Sequence, residues 1–146
     1  MSEQIEKDKI YNCDCLEGMK HIPNASIDLV VTSPPYDNLR TYGGVLDDWN
    51  FDKFKGIAQE LARILKDGGV IVWVVGDATI DGSETGTSFR QALYFKDECG
   101  LNLYDTMIYR KANPSKSPSI ISLATTKRKH HLFLGADTQI YCFLTG

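Results

Sequence analysis

The chain has 146 residues, of which 42% are hydrophobic, and its 19 acidic and 16 basic side chains leave a formal net charge of −3. This length suits one domain with a real core, although it is short for an enzyme that also carries substrate-recognition parts. No run of eighteen apolar residues occurs, so we expect no membrane span. The polar segment 1–9 is unlike a signal peptide, and the four cysteines then indicate reduced thiols, so we expect a cytoplasmic protein.

Basic side chains are concentrated towards the C-terminus. Residues 1–106 contain 18 acidic and 10 basic side chains, whereas residues 107–146 contain 1 acidic and 6 basic ones. A basic segment of this kind can contact phosphate groups, as in nucleic-acid binding, and it can equally be a solvated tail. The sequence leaves both interpretations open.

The N-terminal part predicts a short strand and loop at residues 10–15, followed by one or two helical turns before Pro23. Leu16, Met19 and Ile22 recur at helical spacing, and Asp14 stands where it can cap these turns. No metal site is predicted here. The Cys-x-Cys spacing at residues 13–15 is too tight for the usual zinc pairs, and no second pair with suitable spacing exists.

The apolar run at residues 27–31 predicts a buried strand, and Thr32-Ser33-Pro34-Pro35-Tyr36 follows it. The two prolines end the strand because each has a fixed φ and no backbone donor. In open α/β sheets, ligands bind in the crevice just outside the strand ends. A rigid carbonyl, a hydroxyl and a phenol ring at that place suit one planar ring that bears an amine. The alternative is an ordinary Pro-Pro turn.

The middle of the chain predicts helices alternating with strands. Residues 37–49 form a polar loop, either a lid over the site or a plain connector. Asn50 caps a helix with an apolar stripe from Phe54 to Leu65, which stops at Gly68-Gly69 before an apolar strand at residues 70–75. A second helix from Thr87 or Ser88 to Cys99 precedes a strand from Leu101 to Lys111. The order strand, helix, strand indicates parallel pairing.

Ser33-Pro34-Pro35-Tyr36 after an apolar strand resembles the catalytic motif of the amino-methylating DNA methyltransferases, which use S-adenosylmethionine. The resemblance covers roughly residues 10–115, and it implies DNA as partner and cytosine N4 or adenine N6 as methyl acceptor. It implies catalytic roles for Ser33, Pro34, Pro35 and Tyr36, with Tyr36 stacking on the base. Ser at position 33 favours cytosine N4.

Two further residues match this family. Asp14 matches an acidic residue that reaches the adenine amine of the cofactor, and its alternative role is to cap the short helix. Tyr109 matches an aromatic residue of the pocket for the flipped base, and its alternative role is ordinary core packing.

The resemblance implies an α/β fold with a partial Rossmann-like methyltransferase sheet, mostly parallel and with helices on its faces. We expect residues 1–115 to form the catalytic half of a methyltransferase domain and residues 116–146 to form a basic, atypical tail. The family's glycine-rich cofactor loop, a Phe-x-Gly-x-Gly-like segment, has no match in the sequence. The chain is therefore interpreted as truncated, or as altered from about residue 123 onward.

Other functions remain open. A Pro-Pro-Tyr motif also resembles that of RNA and protein-glutamine methyltransferases, but the chain before Thr32 is too short for the cofactor loop that precedes the motif there. A third interpretation is an inactive truncated remnant or a dimerising module. Because an unpaired half-sheet exposes an edge and apolar surface, we expect a homo-oligomer.

Overall fold

The computed structural model describes residues 5–36, 49–109 and 138–146. Its helices are α1 (Cys15–Met19), α2 (Phe51–Ile64) and α3 (Thr87–Leu93), the last continued by a π-helical segment, Tyr94–Glu98. Its strands are β1 (Ile27–Thr32), β2 (Leu65–Val75), β3 (Thr79–Ile80), β4 (Ser83–Glu84), β5 (Asn102–Tyr109) and β6 (Thr138–Leu144). In the described residues, no helix is long and apolar enough to cross a membrane.

The described strands form a four-stranded sheet in the order β1-β2-β6-β5 and a two-stranded hairpin, β3-β4. Strands β1 and β2 are parallel and are connected through α2, as the sequence predicted. Strand β6 lies antiparallel to both of its neighbours, β2 and β5. The α/β class is therefore confirmed. Strands β1, β2 and β5 share one direction, but β6 makes two of the three pairings antiparallel.

Local signals place α2, although its end differs from the prediction. Asn50 caps the helix, because its side-chain oxygen accepts a hydrogen bond from the backbone N–H of Lys53 at 2.9 Å. The helix ends at Ile64, and Leu65 is already extended and pairs with Ile27. The glycines therefore lie within β2, where Gly68 has a φ of +73°. The N-terminal strand expected at residues 10–15 is absent, and α1 starts at Cys15.

One aromatic core joins the helices to one face of the sheet. The Phe54 ring of α2 lies 5.7 Å from the Trp73 ring of β2, centroid to centroid. The Phe95 ring lies 5.1 Å from Trp73 and 4.8 Å from Phe143 of β6. All four side chains are at most 1% exposed. Each such ring contributes about 2–3 kcal/mol through burial, so this contact holds helices and sheet together.

Strand β6 comes from the segment that the sequence indicated as an atypical tail. Its Tyr141 and Phe143 are 3% and 0% exposed and belong to the core. This part of the C-terminal region is therefore integral to the sheet. The domain division at residue 115 stays a prediction, because residues 110–137 lie outside the described residues.

Candidate active site

The predicted motif begins directly where β1 ends. Thr32 is the last residue of the strand and pairs with Trp73 of β2. Pro34 is buried, Pro35 and Tyr36 are half-buried, and Ser33 is exposed. The prolines cannot extend the ladder, so the chain leaves the sheet at its carboxyl edge and presents the Ser33 hydroxyl to solvent.

A cleft of about 260 Å³ lies beside this turn. The turn and the end of β1 form one side, and residues of α1 and α2 form the other, together with Trp49 and Trp73. Its lining is mostly apolar, with the Ser33 and Thr32 hydroxyls and the Cys15 thiol as side-chain polar groups. Such a cleft can hold a flat, largely apolar ring whose polar edge meets a few fixed groups.

Two of the predicted catalytic residues contact each other. Ser33 Oγ donates a hydrogen bond to the Tyr36 phenol oxygen at 3.1 Å. Ser33 and Tyr36 are three positions apart in the sequence, and the turn formed by the two prolines between them brings the hydroxyl and the phenol together. A serine hydroxyl has two lone pairs besides its proton, so Ser33 can still accept hydrogen bonds while its own proton is engaged.

Asp14 caps α1, as one of its two predicted roles requires. Its Oδ1 accepts a hydrogen bond from the Leu16 N–H at 2.8 Å, and its Oδ2 lies 3.3 Å from Lys53 Nζ. The hydrogen bond from the Leu16 N–H lowers the pKa of the Asp14 carboxyl most, and the hydrogen bond from Lys53 lowers it further. The next residue, Cys15, lines the cleft, and burial raises the pKa of its thiol. A cofactor role for Asp14 stays a prediction.

Tyr109 is the last residue of β5 and pairs with Thr138 of β6. Its side chain is 57% exposed, so it is not a core residue. Since β1 and β5 run in the same direction, Tyr109 and the motif lie at the same edge of the sheet. They are three strand spacings apart, about 14 Å. The structure therefore does not bring Tyr109 into contact with Ser33 or Tyr36.

The sequence interpretation missed Trp49 as a site residue and took it only as the end of a loop. Trp49 lines the cleft and also a smaller adjoining pocket with Phe51, Thr87 and Arg90. The available signal was an aromatic residue immediately before the helix cap Asn50, because helix α2 starts next to the carboxyl end of β1. Of the predicted lid at residues 37–49, residues 37–48 lie outside the described residues.

Known proteins are similar to this chain over most of its length. A family model described as DNA methylase, of the N6/N4 methyltransferase type, matches residues 27–134. The orphan methyltransferase M.BamHII of Bacillus amyloliquefaciens is 62% identical over 92 residues, which is 63% of this chain and 32% of M.BamHII. The type II methyltransferase M.PvuII of Proteus hauseri is 33% identical over 124 residues, covering 82% of this chain and 36% of M.PvuII.

Solved structures agree with these matches. The PvuII DNA methyltransferase (cytosine-N4-specific) aligns with a TM-score of 0.68 and 28% identity, covering 93% of this chain and 48% of that one. TTHA0409 of Thermus thermophilus, complexed with S-adenosyl-L-methionine, aligns with a TM-score of 0.64 and 25% identity, covering 90% and 51%. This chain thus spans about a third of these curated relatives and about half of these solved chains. It belongs to the DNA methylase family of the N6/N4 methyltransferase type.

Proposed function

We propose that this chain is the catalytic portion of a site-specific DNA methyltransferase that acts on an exocyclic base amine. The observation that carries the proposal is the Ser33–Tyr36 turn, which leaves β1 at the mouth of the apolar cleft. The family match supports the same chemistry. A cytoplasmic location belongs to this proposal.

The proposed chemistry addresses the weakness of the amine as a nucleophile. The lone pair of an exocyclic amine is shared with the ring, which makes it a poor attacking group. Ser33 Oγ and the Pro34 carbonyl would accept hydrogen bonds from the two amine hydrogens and so localise the lone pair on nitrogen. The consecutive prolines hold both acceptors in place before the base arrives, and such preorganisation lowers the reorganisation cost of the reaction.

The base itself needs apolar faces once it leaves the DNA stack. Tyr36 is half-buried and follows Pro35, the last residue of the turn that lines the cleft, and it would stack on the base. Tyr109 is exposed at the same edge of the sheet, about 14 Å away by strand spacing, and would line the outer part of the base pocket.

The proposed cofactor is S-adenosylmethionine, which supplies the methyl group. Asp14 fits the adenine end, because a carboxylate has about four acceptor positions and two of them are used by Leu16 and Lys53. The remaining positions can accept the adenine amine. The sequence contains no Phe-x-Gly-x-Gly segment, so the methionine end of the cofactor requires groups beyond those named here.

We favour cytosine N4 over adenine N6 as the acceptor. The support is Ser33 in the first motif position and the likeness to the cytosine-N4-specific PvuII enzyme. Hydrolysis of DNA methylated by this chain, followed by chromatography, separates N4-methylcytosine from N6-methyladenine. Exclusive N6-methyladenine would overturn the preference and leave the proposed amine chemistry intact.

Isothermal titration with S-adenosylmethionine is the first test of the proposal. Binding at micromolar affinity supports a complete cofactor pocket, and transfer of labelled methyl groups to DNA then tests catalysis. Absence of binding up to millimolar cofactor would instead support the inactive remnant, an interpretation that the missing glycine loop also favours.

A further inference from the structure

A second, smaller pocket adjoins the cleft of the candidate active site. Its volume is about 80 Å³, and Trp49 lines both this pocket and the cleft. It lies between the first residues of α2 and the first residues of α3, and it is here called the side pocket. Its lining residues are Trp49, Asn50, Phe51, Thr87, Arg90 and Gln91.

The polar side chains that line the side pocket carry hydrogen-bond donors, and none of them is a carboxylate. Asn50 Oδ1 accepts a hydrogen bond from the Lys53 N–H at 2.9 Å, which leaves the two amide N–H groups of Asn50 as donors. The Arg90 guanidinium has five N–H groups, one of which donates to the Thr85 carbonyl at 2.6 Å. Within the described ranges, no carboxylate lies at ion-pair distance from Arg90. Its remaining donors are therefore available to a ligand.

Gln91 is the buried member of this set, since it is only 1% exposed. Its Oε1 accepts a hydrogen bond from the Trp73 indole N–H at 2.9 Å. An indole nitrogen can only donate, so this contact fixes the orientation of the amide and leaves Gln91 Nε2 for another partner. Among the residues that the structure describes, none accepts a hydrogen bond from Gln91 Nε2. A buried amide donor requires an acceptor, and a ligand in the side pocket can supply it.

The start of α2 adds positive potential to the side pocket. Phe51, the first residue of this 14-residue helix, lines the pocket, and the first backbone N–H groups of a helix carry partial positive charge. Two carboxylates of this region are engaged elsewhere: Asp52 pairs with Lys55 at 2.7 Å, and Asp77 accepts hydrogen bonds near the start of α3. The side pocket thus combines a guanidinium, a helix start and neutral donors, which suits an anion with several oxygens, such as a phosphate group.

We propose that the side pocket binds a backbone phosphate of the DNA strand, next to the nucleotide whose base enters the cleft; this inference rests on the proposed function. The two sites share Trp49, and Trp73 of the cleft is hydrogen-bonded to Gln91 of the side pocket. A base and a neighbouring phosphate of the same strand can therefore occupy both sites together. Phosphate contacts fix the register of a protein on DNA without reading its sequence, so Arg90 would position the strand for entry of the base.

The carboxylate of S-adenosylmethionine is the competing anion, since it offers the same kind of charged oxygen. That carboxylate is accompanied by an ammonium group, which needs acceptors of its own. The side chains of the side pocket offer mainly donors and no carboxylate, so they suit a phosphate better than the zwitterionic end of the cofactor.

The salt dependence of DNA binding tests this inference, measured by fluorescence anisotropy with labelled duplexes and without cofactor. The result is separate from methyl transfer, because absence of transfer with normal DNA binding would overturn only the proposed function. Loss of one phosphate contact lowers the slope of log K against log salt concentration by about 0.9 on duplex DNA. Arg90→Gln should lower the slope by this amount and weaken binding by roughly 10-fold, equally on duplexes of different sequence.

A matched variant controls for net charge. Lys96→Gln also removes one positive charge, from an exposed side chain in the π-helical segment that continues α3, away from the side pocket. It should leave both the slope and the affinity unchanged. Arg90→Lys keeps the charge without the planar fork, so it should restore the slope and only part of the affinity. Thermal unfolding confirms that the variants are folded.

Titration of the same variants with S-adenosylmethionine distinguishes the two anions. Arg90→Gln should leave the affinity for the cofactor unchanged. Equal effects of Arg90→Gln and Lys96→Gln on DNA binding, a loss of cofactor affinity confined to Arg90→Gln, or absence of DNA binding by the unaltered chain would each overturn the inference.

Discussion

Ser33 Oγ and the Tyr36 phenol oxygen are 3.1 Å apart and share the Ser33 proton in a hydrogen bond. The prolines between them leave little freedom for either side chain to move away. The phenol therefore orients the hydroxyl, and the lone pairs of Ser33 are directed by a contact within the motif itself. We therefore propose a second role for Tyr36, in addition to the proposed stacking on the base.

Replacement of Tyr36 by Phe separates these two roles. The ring remains and the acceptor is lost, so methyl transfer to DNA should fall by roughly 10-fold, against roughly 10–1000-fold for Ser33→Ala. Because the phenol acts through Ser33, the double variant should be no slower than Ser33→Ala alone. Transfer of labelled methyl groups measures all three, and Ser83→Ala, an exposed serine of β4, is the control. Additive losses would contradict a role of Tyr36 through Ser33.

Phe143 tests whether the C-terminal segment belongs to the fold. Its ring is fully buried and lies 4.8 Å from Phe95, so Phe143→Ala should lower the free energy of unfolding by about 3–5 kcal/mol. Phe89→Ala removes a ring that is 55% exposed and should cost less than about 1 kcal/mol. Urea unfolding measures both, with Phe143→Leu as a milder variant if the alanine form does not fold. Similar costs at the two positions would exclude β6 from the core.

Asp77, just after β2, forms hydrogen bonds with residues at the start of α3. Its carboxylate accepts hydrogen bonds from the Ser88 N–H at 3.0 Å, from the Thr85 hydroxyl at 3.1 Å and from the Ser88 hydroxyl. The residue at the N-cap of α3, Gly86, has no side chain to do this. Asp77→Asn should therefore cost about 2–3 kcal/mol of unfolding free energy. Thermal and urea unfolding should show no comparable loss for Asp67→Asn, an exposed aspartate of β2.

The charge on Asp14 should make α1 sensitive to acid. Its pKa in the folded chain lies below the ordinary value of 3.8, so its stabilising effect is present above that value and is lost as the pH falls through the lowered one. Asn caps a helix about as well as Asp and carries no charge. Asp14→Asn should therefore lower the melting temperature at pH 7 and have a much smaller effect near pH 3. An effect that is equal at both pH values would contradict a contribution from the charge of Asp14.

Local sequence determined several features of this protein correctly. These features are the Asn50 cap, the apolar stripe of α2 and the end of β1 at the two prolines. Each one depends on residues that are only a few positions apart in the sequence. Each therefore predicts its own structure without knowledge of distant partners. The end of α2 was predicted too late, because Leu65 fits the helical stripe equally well and only its pairing with Ile27 makes it part of a strand.

The tertiary structure determined the features that depend on contacts between distant parts of the sequence. The place of β6 between β2 and β5 depends on pairings such as Trp73 with Tyr141, 68 positions apart by their numbers, which no local period encodes. The same pairings place Tyr109 at the motif's edge but three strands away, and they put all described helices on one face. Sequence alone therefore predicted the turn at Ser33–Tyr36, and the chemistry proposed for that turn stays a prediction. Only long-range pairing decided which residues surround that turn, because contacts across strands depend on where the whole chain folds back.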